Sequence, residues 1–161
     1  MQVQDIIIRE LKGYQEISII FPLIVQLNTD MDEVTFSKCL KEMIREGYRC
    51  IGAFTHDGKL VGCSGFWIGT RFWCGPFIEP ENLIIDRDHR RSGIGEKLMA
   101  WIEAEGRRHN CQIVKLEAYA SNAKTRAFYA SRAYEEPGLV ITKPLAITAE
   151  QWQEKLEKKA R

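Results

Sequence analysis

The residues with the clearest capacity for chemistry lie together in one segment past the middle of the chain. Arg90 and Arg91 stand just before Gly93 and Gly95, and an amphipathic stretch follows to about residue 109. Glycine allows the backbone to approach a ligand closely and to adopt a positive φ angle. The free N–H groups and the dipole at the start of a helix favour an anion. The spacing therefore predicts a turn that holds a pyrophosphate and opens a helix.

Two common phosphate-binding motifs do not account for these glycines. The dinucleotide-binding pattern requires a third glycine at position 98, which is Leu98 in this chain. A P-loop requires Gly-Lys-Ser or Gly-Lys-Thr after a four-residue gap, and the sequence contains neither. A tight strand-to-helix turn that holds no ligand remains the alternative interpretation of Gly93 and Gly95.

A second segment strengthens the interpretation of the first. Asn122, Thr125 and the pair Phe128-Tyr129 follow one another at a spacing of three, and Ala133-Tyr134 comes next. Together with Arg90-x-x-Gly93-x-Gly95, this pattern resembles the GCN5-related N-acetyltransferase (GNAT) family, over about residues 48–145. Thr125 replaces a usual alanine, and Ala133 replaces a usual glycine. Because Ala133 must make its turn without the freedom of glycine, we expect a local adjustment there.

The resemblance implies that acetyl-CoA is the co-substrate and that no metal takes part. The pantetheine arm would lie between two splayed parallel strands, at about 77–85 and 112–118, whose unpaired backbone groups need partners. Asn122 would hydrogen bond to the arm, with an ordinary N-cap as the alternative. The other implied binding residues are Leu83, Ile84 and Ile85 along the arm, the backbone N–H groups of Arg91, Ser92, Gly93, Ile94, Gly95 and Glu96 around the pyrophosphate, and the charged side chains of Arg90, Arg91, Lys124 and Arg126, for which solvated surface charge is the alternative.

By the same resemblance, Tyr129 is the catalytic acid. Attack of an amine on the thioester expels a thiolate, and a phenol with an ordinary pKa of about 10 can protonate it. The alternative for Tyr129 is an aromatic core residue beside Phe128.

Two acidic residues are candidates for the catalytic base. An alkyl ammonium has an ordinary pKa of about 10.4, so the acceptor must lose a proton before it can attack. Glu79 and Glu81 share one face of a strand, because strand side chains alternate. Glu79 falls where histone-acetyltransferase members of the GNAT family carry their base, and Glu81 falls where many small-molecule members carry an acid. Pro80 between them indicates an irregular strand or a bulge, and exposed acids on an edge strand are the alternative for both.

The predicted elements place these residues at the ends of strands and helices. In chain order they are a strand at 3–9, a helical stretch at 13–27 interrupted at Pro22, a helix at 32–45, strands at 48–55 and 59–66 joined by a hairpin at Asp57-Gly58, an aromatic loop at 67–76, a strand at 77–85, a helix at 93–109, a strand at 112–118, a helix at 122–132, a strand at 139–145, and a last helix from a Thr148-x-x-Gln151 capping box to about 159. The order predicts an α/β fold with a mixed sheet. The resemblance implies that this sheet is largely antiparallel, with splayed parallel central strands and helices on both faces. Residues 1–161 are expected to form one acetyltransferase domain with a helical tail at 148–161.

Composition excludes several other classes of protein. The 161 residues carry 23 Lys and Arg against 22 Asp and Glu, and a formal net charge of +1 argues against a dedicated nucleic-acid binder. The longest apolar run, Ile17–Val25, is shorter than the roughly 20 residues of a membrane span. The five cysteines form no Cys-x-x-Cys pair and are expected to be reduced thiols. Asp5 stands where a signal peptide would be positively charged, so a cytoplasmic location is expected.

The sequence leaves the acceptor amine open. In the GNAT family the acceptor is set by the first helices and by loops, here about 13–47 and 66–76. The aromatic residues of these regions could form a wall around an amine, a contact in a homodimer, or simply core; they are Tyr14, Phe21, Phe36, Trp67, Phe72 and Trp73. Small amines are favoured over protein lysines or N-termini. A non-catalytic acyl-CoA-binding regulatory domain is a further alternative.

Overall fold

The computed structural model describes residues 5–159, and its elements follow the predicted order with one exception. The strands are β1 (Ile7–Leu11), β2 (Arg49–Phe54), β3 (Leu60–Arg71), β4 (Gly75–Ile85) and β5 (Ile113–Val114), and the helices are α1 (Gly13–Ile17), α2 (Phe21–Leu27), α3 (Glu33–Arg45), α4 (Ile94–Arg108), α5 (Ala123–Ala130) and α6 (Ala149–Lys159). Residues 3 and 4 of the predicted first strand lie outside the described residues. The chain divides into two compact units, Met1–Leu116 and Glu117–Arg161.

The first unit is built on a five-stranded mixed sheet in the order β1-β2-β3-β4-β5. The first three strand pairs are antiparallel, and β4 pairs with β5 in parallel. Two apolar clusters form the core. The first cluster contains buried residues of α1, α2 and α3, such as Ile17, Leu23 and Leu40. The second cluster contains Ile94 and Leu98 of α4. The predicted mixed, largely antiparallel sheet with helices on both faces is therefore confirmed.

Local signals explain where several helices begin. A 3₁₀ turn at Ser18–Ile20 separates α1 from α2, and Pro22 lies in the first turn of α2, where its missing N–H costs nothing. The side chain of Asp32 caps α3 by accepting a hydrogen bond from the Thr35 N–H at 2.7 Å. The predicted capping box of α6 is confirmed, because Thr148 and Gln151 each accept a hydrogen bond from the other's backbone N–H.

The predicted aromatic loop at 67–76 is wrong. β3 continues to Arg71, and β4 begins at Gly75, so only the tip of a long hairpin is a turn. Aromatic and β-branched residues favour such a pleated surface when a partner strand is beside them. Gly69 gives room for the ring of Phe77 on the partner strand, since a Cβ at Gly69 would lie 2.8 Å from the Phe77 Cζ.

The predicted strand at 139–145 is also wrong, and the one at 112–118 is reduced to Ile113–Val114. Within the described part of the second unit, no strand is formed, and the apolar side chains of Leu139, Ile141 and Leu145 are exposed. An apolar, β-prone run becomes a strand only when it finds a ladder partner, and the sequence pattern does not supply that partner.

The turn after α5 shows the adjustment expected at Ala133. Ala133 adopts a left-handed conformation with φ +62°, and its N–H donates to the Ala130 carbonyl at 3.1 Å. A left-handed conformation costs an L-residue roughly 1–2 kcal/mol, whereas glycine adopts it freely. The strain therefore resides in Ala133 itself.

Replacing Ala133 with glycine is expected to stabilise the protein. Relief of the strain exceeds the added backbone entropy of glycine, so the free energy of unfolding should rise by about 0.5–1 kcal/mol. Thermal or denaturant unfolding measures the change. The matched control is Ala127→Gly inside α5, which should lose about 1 kcal/mol because that residue is helical. Equal losses of stability in the two variants would contradict the assignment of backbone strain to Ala133.

Candidate active site

β4, the strand that contains the candidate bases Glu79 and Glu81, has a bulge that changes which side chains point to each face of the sheet. Glu81 pairs with Gly65 and Ile84 pairs with Cys63, so β4 has one more residue than β3 between these two pairs. This bulge contains Asn82, whose φ is +54°. Beyond it the alternation shifts by one residue, so that Ile84 packs in the first cluster while its neighbours face the second. Pro80 itself pairs regularly with Phe66, so the strand is irregular as predicted but two residues later than expected, at Asn82, and not between Glu79 and Glu81.

The two parallel strands part soon after they meet. β5 pairs with β4 only through Phe77 with Ile113 and Ile78 with Val114, and the Lys115 N–H then donates to the Ile78 carbonyl at 3.0 Å. β4 continues to Ile85 without further pairing to β5 among the described residues of the first unit. Along this part of β4, the backbone groups of residues 83–85 are not paired with β5. They can therefore hydrogen bond to an extended ligand.

A network around Asp86 fixes the connection between β4 and the next helix. The Asp86 carboxylate accepts hydrogen bonds from the Asp88 N–H at 3.0 Å, from Gln26 Nε2 at 3.2 Å and from His89 Nδ1 at 3.3 Å. The backbone hydrogen bond from Asp88 is the main cause that lowers the pKa of Asp86. Gln26 also accepts from the Arg87 N–H at 3.2 Å, so it ties the end of α2 to this connection. The sequence offered no signal for this role of Gln26.

The turn that follows has the backbone conformation of an anion-binding site. Arg91 and Gly93 are both left-handed, with φ +61° and +77°. The Lys97 N–H makes the first helical hydrogen bond, to the Gly93 carbonyl at 3.2 Å, so the three N–H groups of 94–96 have no helical acceptor. Residues with this pattern of conformations direct successive N–H groups into a concavity that suits an anion. A Cβ at Gly93 would meet no atom closer than 4.0 Å, so the space above the turn is open.

The two arginines of this turn are not neutralised by the nearby acids. Arg90 and Arg91 have exposed side chains, and within residues 5–159 neither forms a salt bridge. The carboxylate of Asp86 is bonded to other groups instead. Both guanidinium groups therefore remain available to an anion at the turn.

The two candidate bases have different partners on one face of β4. Glu79 Oε2 accepts a hydrogen bond from Lys115 Nζ at 2.6 Å, and Glu81 Oε2 accepts one from the indole N–H of Trp67. Trp67 lies directly opposite Glu79 in the ladder and also reaches Glu81, so the two carboxylates share a face as predicted. No local pattern predicts that Lys115 pairs with Glu79, because the two residues are far apart along the chain.

In the second unit, the polar side chains around α5 hydrogen bond to nearby residues of the same unit. Asn122 Oδ1 caps the helix by accepting from the Thr125 N–H at 3.1 Å, which is the alternative role named for it. Arg126 forms a bidentate pair with Glu136, with both N–O distances 2.7 Å, and donates to the Ala120 carbonyl at 3.0 Å. This pair raises the pKa of Arg126 and lowers that of Glu136. Lys124 is exposed.

Tyr129 lies among other aromatic rings. Its ring centroid is 5.1 Å from that of Phe128 and 5.3 Å from that of Tyr134, both in edge-on geometry. Burial raises the pKa of Tyr129 to about 12. The hydroxyl is therefore protonated at neutral pH and can donate a proton or a hydrogen bond.

Among residues 5–159, no group of three or more His, Cys, Asp or Glu side chains is placed to hold a metal ion. No helix in this described part of the chain combines the length and the apolar character needed to cross a bilayer. All five cysteines are free, and burial raises the pKa of Cys50 to about 12.

Comparison with known proteins agrees with the geometry. The family model described as the acetyltransferase (GNAT) family matches residues 14–134. No curated protein matches the sequence.

Solved structures resemble the fold closely. An acetyltransferase from Trypanosoma brucei aligns with a TM-score of 0.71 and 20% identity, over 88% of this chain and 100% of that one. Glucosamine-6-phosphate N-acetyltransferase from Arabidopsis thaliana aligns with a TM-score of 0.68 and 18% identity, over 88% and 99%. The aminoglycoside N-acetyltransferase AAC(6′)-Iy in complex with CoA aligns with a TM-score of 0.76 and 17% identity, over 89% and 97%. At these identities the likeness shows the fold alone.

Proposed function

Because the chain belongs to the GNAT acetyltransferase family, we propose that it transfers the acetyl group of acetyl-CoA to a primary amine. The observation that carries the proposal is the turn between β4 and α4. It combines two left-handed residues, N–H groups without helical acceptors, and two arginines without a salt bridge to a described residue. Every helix begins with N–H groups that lack a helical acceptor, but a turn that only connects a strand with a helix needs neither the two left-handed residues nor the two arginines beside them.

Acetyl-CoA would be held mainly by backbone groups. The N–H groups of 91–96 would contact the pyrophosphate, with Arg90 and Arg91 adding charge. The unpaired edge of β4 at 83–85 would hydrogen bond to the pantetheine arm as an added strand does. Asn122 would also bond the arm, since an amide that caps a helix with its oxygen still has an NH₂ group to donate. Lys124 remains a candidate for the 3′-phosphate, whereas Arg126 would have to share its guanidinium with Glu136.

The chemistry proposed is direct transfer through a tetrahedral intermediate. A carboxylate of β4, Glu79 or Glu81, takes the proton of the ammonium, directly or through water. The neutral amine attacks the thioester carbonyl, and oriented backbone N–H groups stabilise the charge on its oxygen. The C–S bond then breaks, and the Tyr129 hydroxyl donates its proton to the departing thiolate. The positively charged nitrogen of the intermediate releases its proton through water to the Tyr129 phenolate, which yields the amide and restores the hydroxyl. Neither a covalent acyl-enzyme nor a metal is required for these steps.

We propose a small amine as the acceptor. Some aromatic side chains of the regions expected to set the acceptor pack in the core, where Phe36 contacts Phe21 and Trp67 contacts Tyr48. Phe72 and Trp73 are instead exposed at the tip of the β3–β4 hairpin. Two of the similar structures are N-acetyltransferases of aminoglycosides and of glucosamine-6-phosphate, which supports this class. Protein lysines and N-termini are the second candidate class.

The test offers acetyl-CoA together with polyamines, aminoglycosides, amino sugars and lysine peptides, and detects the acetylated product by mass spectrometry. A thiol dye is unsuitable because five cysteines are free. Acetylation of small amines but not peptides supports the proposal. Acetylation of peptides alone would show that the acceptor is a protein amine and not a small amine. Binding of acetyl-CoA without any product would favour a non-catalytic regulatory domain.

The raised pKa of Tyr129 predicts how the contribution of its hydroxyl to kcat depends on pH. Tyr129 acts in its protonated form, and a pKa raised from about 10 to about 12 moves the loss of that form to higher pH. The ratio of wild-type kcat to Tyr129→Phe kcat should therefore stay constant from about pH 7 to about pH 10.5. Rate profiles of both proteins measure this ratio. A fall in the ratio centred at or below about pH 10 would show that the phenol is not buried in the working enzyme.

A further inference from the structure

We propose that Glu81, and not Glu79, accepts the proton of the amine, and that Trp67 is the positioning residue that holds Glu81 for this task. The proposal rests on acetyl transfer to an amine being the function of the protein. It concerns only residues of the first unit, and it is carried by the contacts of the two carboxylates.

Glu79 is committed to a cation. Lys115 Nζ lies 2.6 Å from Glu79 Oε2. Lys115 is itself fixed, because its N–H donates to the Ile78 carbonyl at 3.0 Å and its ammonium lies 4.6 Å from the centroid of the Phe77 ring. The Lys115 ammonium occupies Oε2 and offsets the charge of the carboxylate, so a substrate ammonium would have to displace it. Glu79 is therefore poorly suited to remove a proton from a substrate.

Glu81 has a neutral partner instead. Its Oε2 accepts from the indole N–H of Trp67, and no cationic side chain among the described residues forms a salt bridge with it. The indole orients the carboxylate without neutralising its charge. Its other oxygen, Oε1, makes no hydrogen bond with any described residue, so it can accept one from an ammonium or a water. An oriented, uncompensated carboxylate is what removal of a proton requires.

A packed stack on the same face holds the indole in place. Gly65 lies directly opposite Glu81, and a Cβ at Gly65 would overlap the ring and hydroxyl of Tyr48. Tyr48 is buried in the space that glycine leaves, and its ring packs on Trp67 with centroids 5.3 Å apart. Burial, with smaller contributions from Cys50, Cys63 and then Glu81, raises the pKa of Tyr48, so its hydroxyl stays neutral. Gly65, Tyr48 and Trp67 thus support one carboxylate.

The test compares four variants with the acceptor found for the wild type. Glu81→Gln should lower kcat at pH 7 by about 100-fold or more, the loss typical of a missing general base. Glu79→Gln should lower it only a few-fold. Trp67→Phe keeps an aromatic ring but removes the N–H donor. Without that donor the Glu81 carboxylate is no longer oriented, so kcat should fall about tenfold while the KM values for acetyl-CoA and the amine stay close to those of the wild type.

Trp101→Phe is the matched control for Trp67→Phe. Trp101 lies on α4 and packs on Phe66 in the second cluster, on the other face of the sheet. It should leave kcat close to the wild-type value. Circular dichroism and acetyl-CoA affinity verify that each variant is folded, and if Glu81→Gln fails to fold, the kcat and KM of Trp67→Phe decide.

Two results would overturn the proposal while leaving acetyl transfer intact. One is a loss in Glu79→Gln that equals or exceeds the loss in Glu81→Gln. The other is a Trp67→Phe kcat that equals that of Trp101→Phe. A wild-type protein that acetylates no amine is a different outcome, because it overturns the proposed function, and the role of Glu81 with it.

Discussion

Replacing Tyr129 with phenylalanine is expected to lower kcat by about 100-fold or more, while the affinity for acetyl-CoA stays close to that of the wild type. The substitution removes only the hydroxyl. The ring contacts with Phe128 and Tyr134 persist, so the fold around α5 should be kept. Loss of the donor leaves the thiolate to depart unprotonated, which affects turnover and not binding.

Steady-state kinetics and equilibrium binding of acetyl-CoA separate these two effects. Tyr119→Phe is the control, since it makes the same chemical change at a partly exposed tyrosine of the same unit that has no assigned role. An unchanged kcat in Tyr129→Phe would remove the catalytic acid from the mechanism. A matched loss in Tyr119→Phe would point to a general effect of the substitution.

Replacing Gly93 with valine is expected to weaken acetyl-CoA binding by about 10- to 100-fold. A β-branched residue is strongly disfavoured at φ +77°, and relief of that strain must rotate the backbone and turn the N–H groups of 94–96 away from their concavity. A Cβ at Gly93 has no protein atom closer than 4.0 Å, so the side chain enters the space proposed for the pyrophosphate. About 1.4 kcal/mol of lost binding energy corresponds to each tenfold loss of affinity.

Gly58→Val provides a matched control for this substitution. Gly58 lies in the β2–β3 hairpin with φ +85°, and a Cβ there would also meet nothing within 4 Å. The two variants should lose similar stability through strain, but only Gly93→Val should lose affinity for acetyl-CoA. Isothermal titration with acetyl-CoA and thermal unfolding measure the two quantities. Wild-type affinity in Gly93→Val would mean that the segment is only a strand-to-helix turn.

The sequence predicted best those features that depend on local chemistry. The Asp-Gly hairpin, the interruption at Pro22 and the capping box at Thr148 each follow from residues within a few positions of one another. All three are present as predicted. The turn at Gly93 belongs to the same class, because its glycine and the following amphipathic helix specify the conformation locally.

Features that depend on distant partners could not be predicted in the same way. Whether residues 67–71 are loop or strand depends on pairing with β4, and whether 139–145 forms a strand depends on a ladder partner. The pairing of Glu79 with Lys115 joins β4 to the residue just after β5, and no local pattern encodes it. At Ala133 the sequence predicted that an adjustment was needed, but only the backbone shows that alanine itself takes the left-handed conformation.

Transfer of an isotopically labelled acetyl group from acetyl-CoA to the nitrogen of an acceptor amine tests the central claim most directly. The wild-type protein should produce an amide that carries the label, at a rate proportional to enzyme concentration, and Tyr129→Phe should produce it far more slowly. A labelled product formed equally fast by both proteins would contradict the proposed mechanism. No product from any amine, together with no binding of acetyl-CoA, would contradict the assignment of the Arg90–Glu96 turn as a pyrophosphate site.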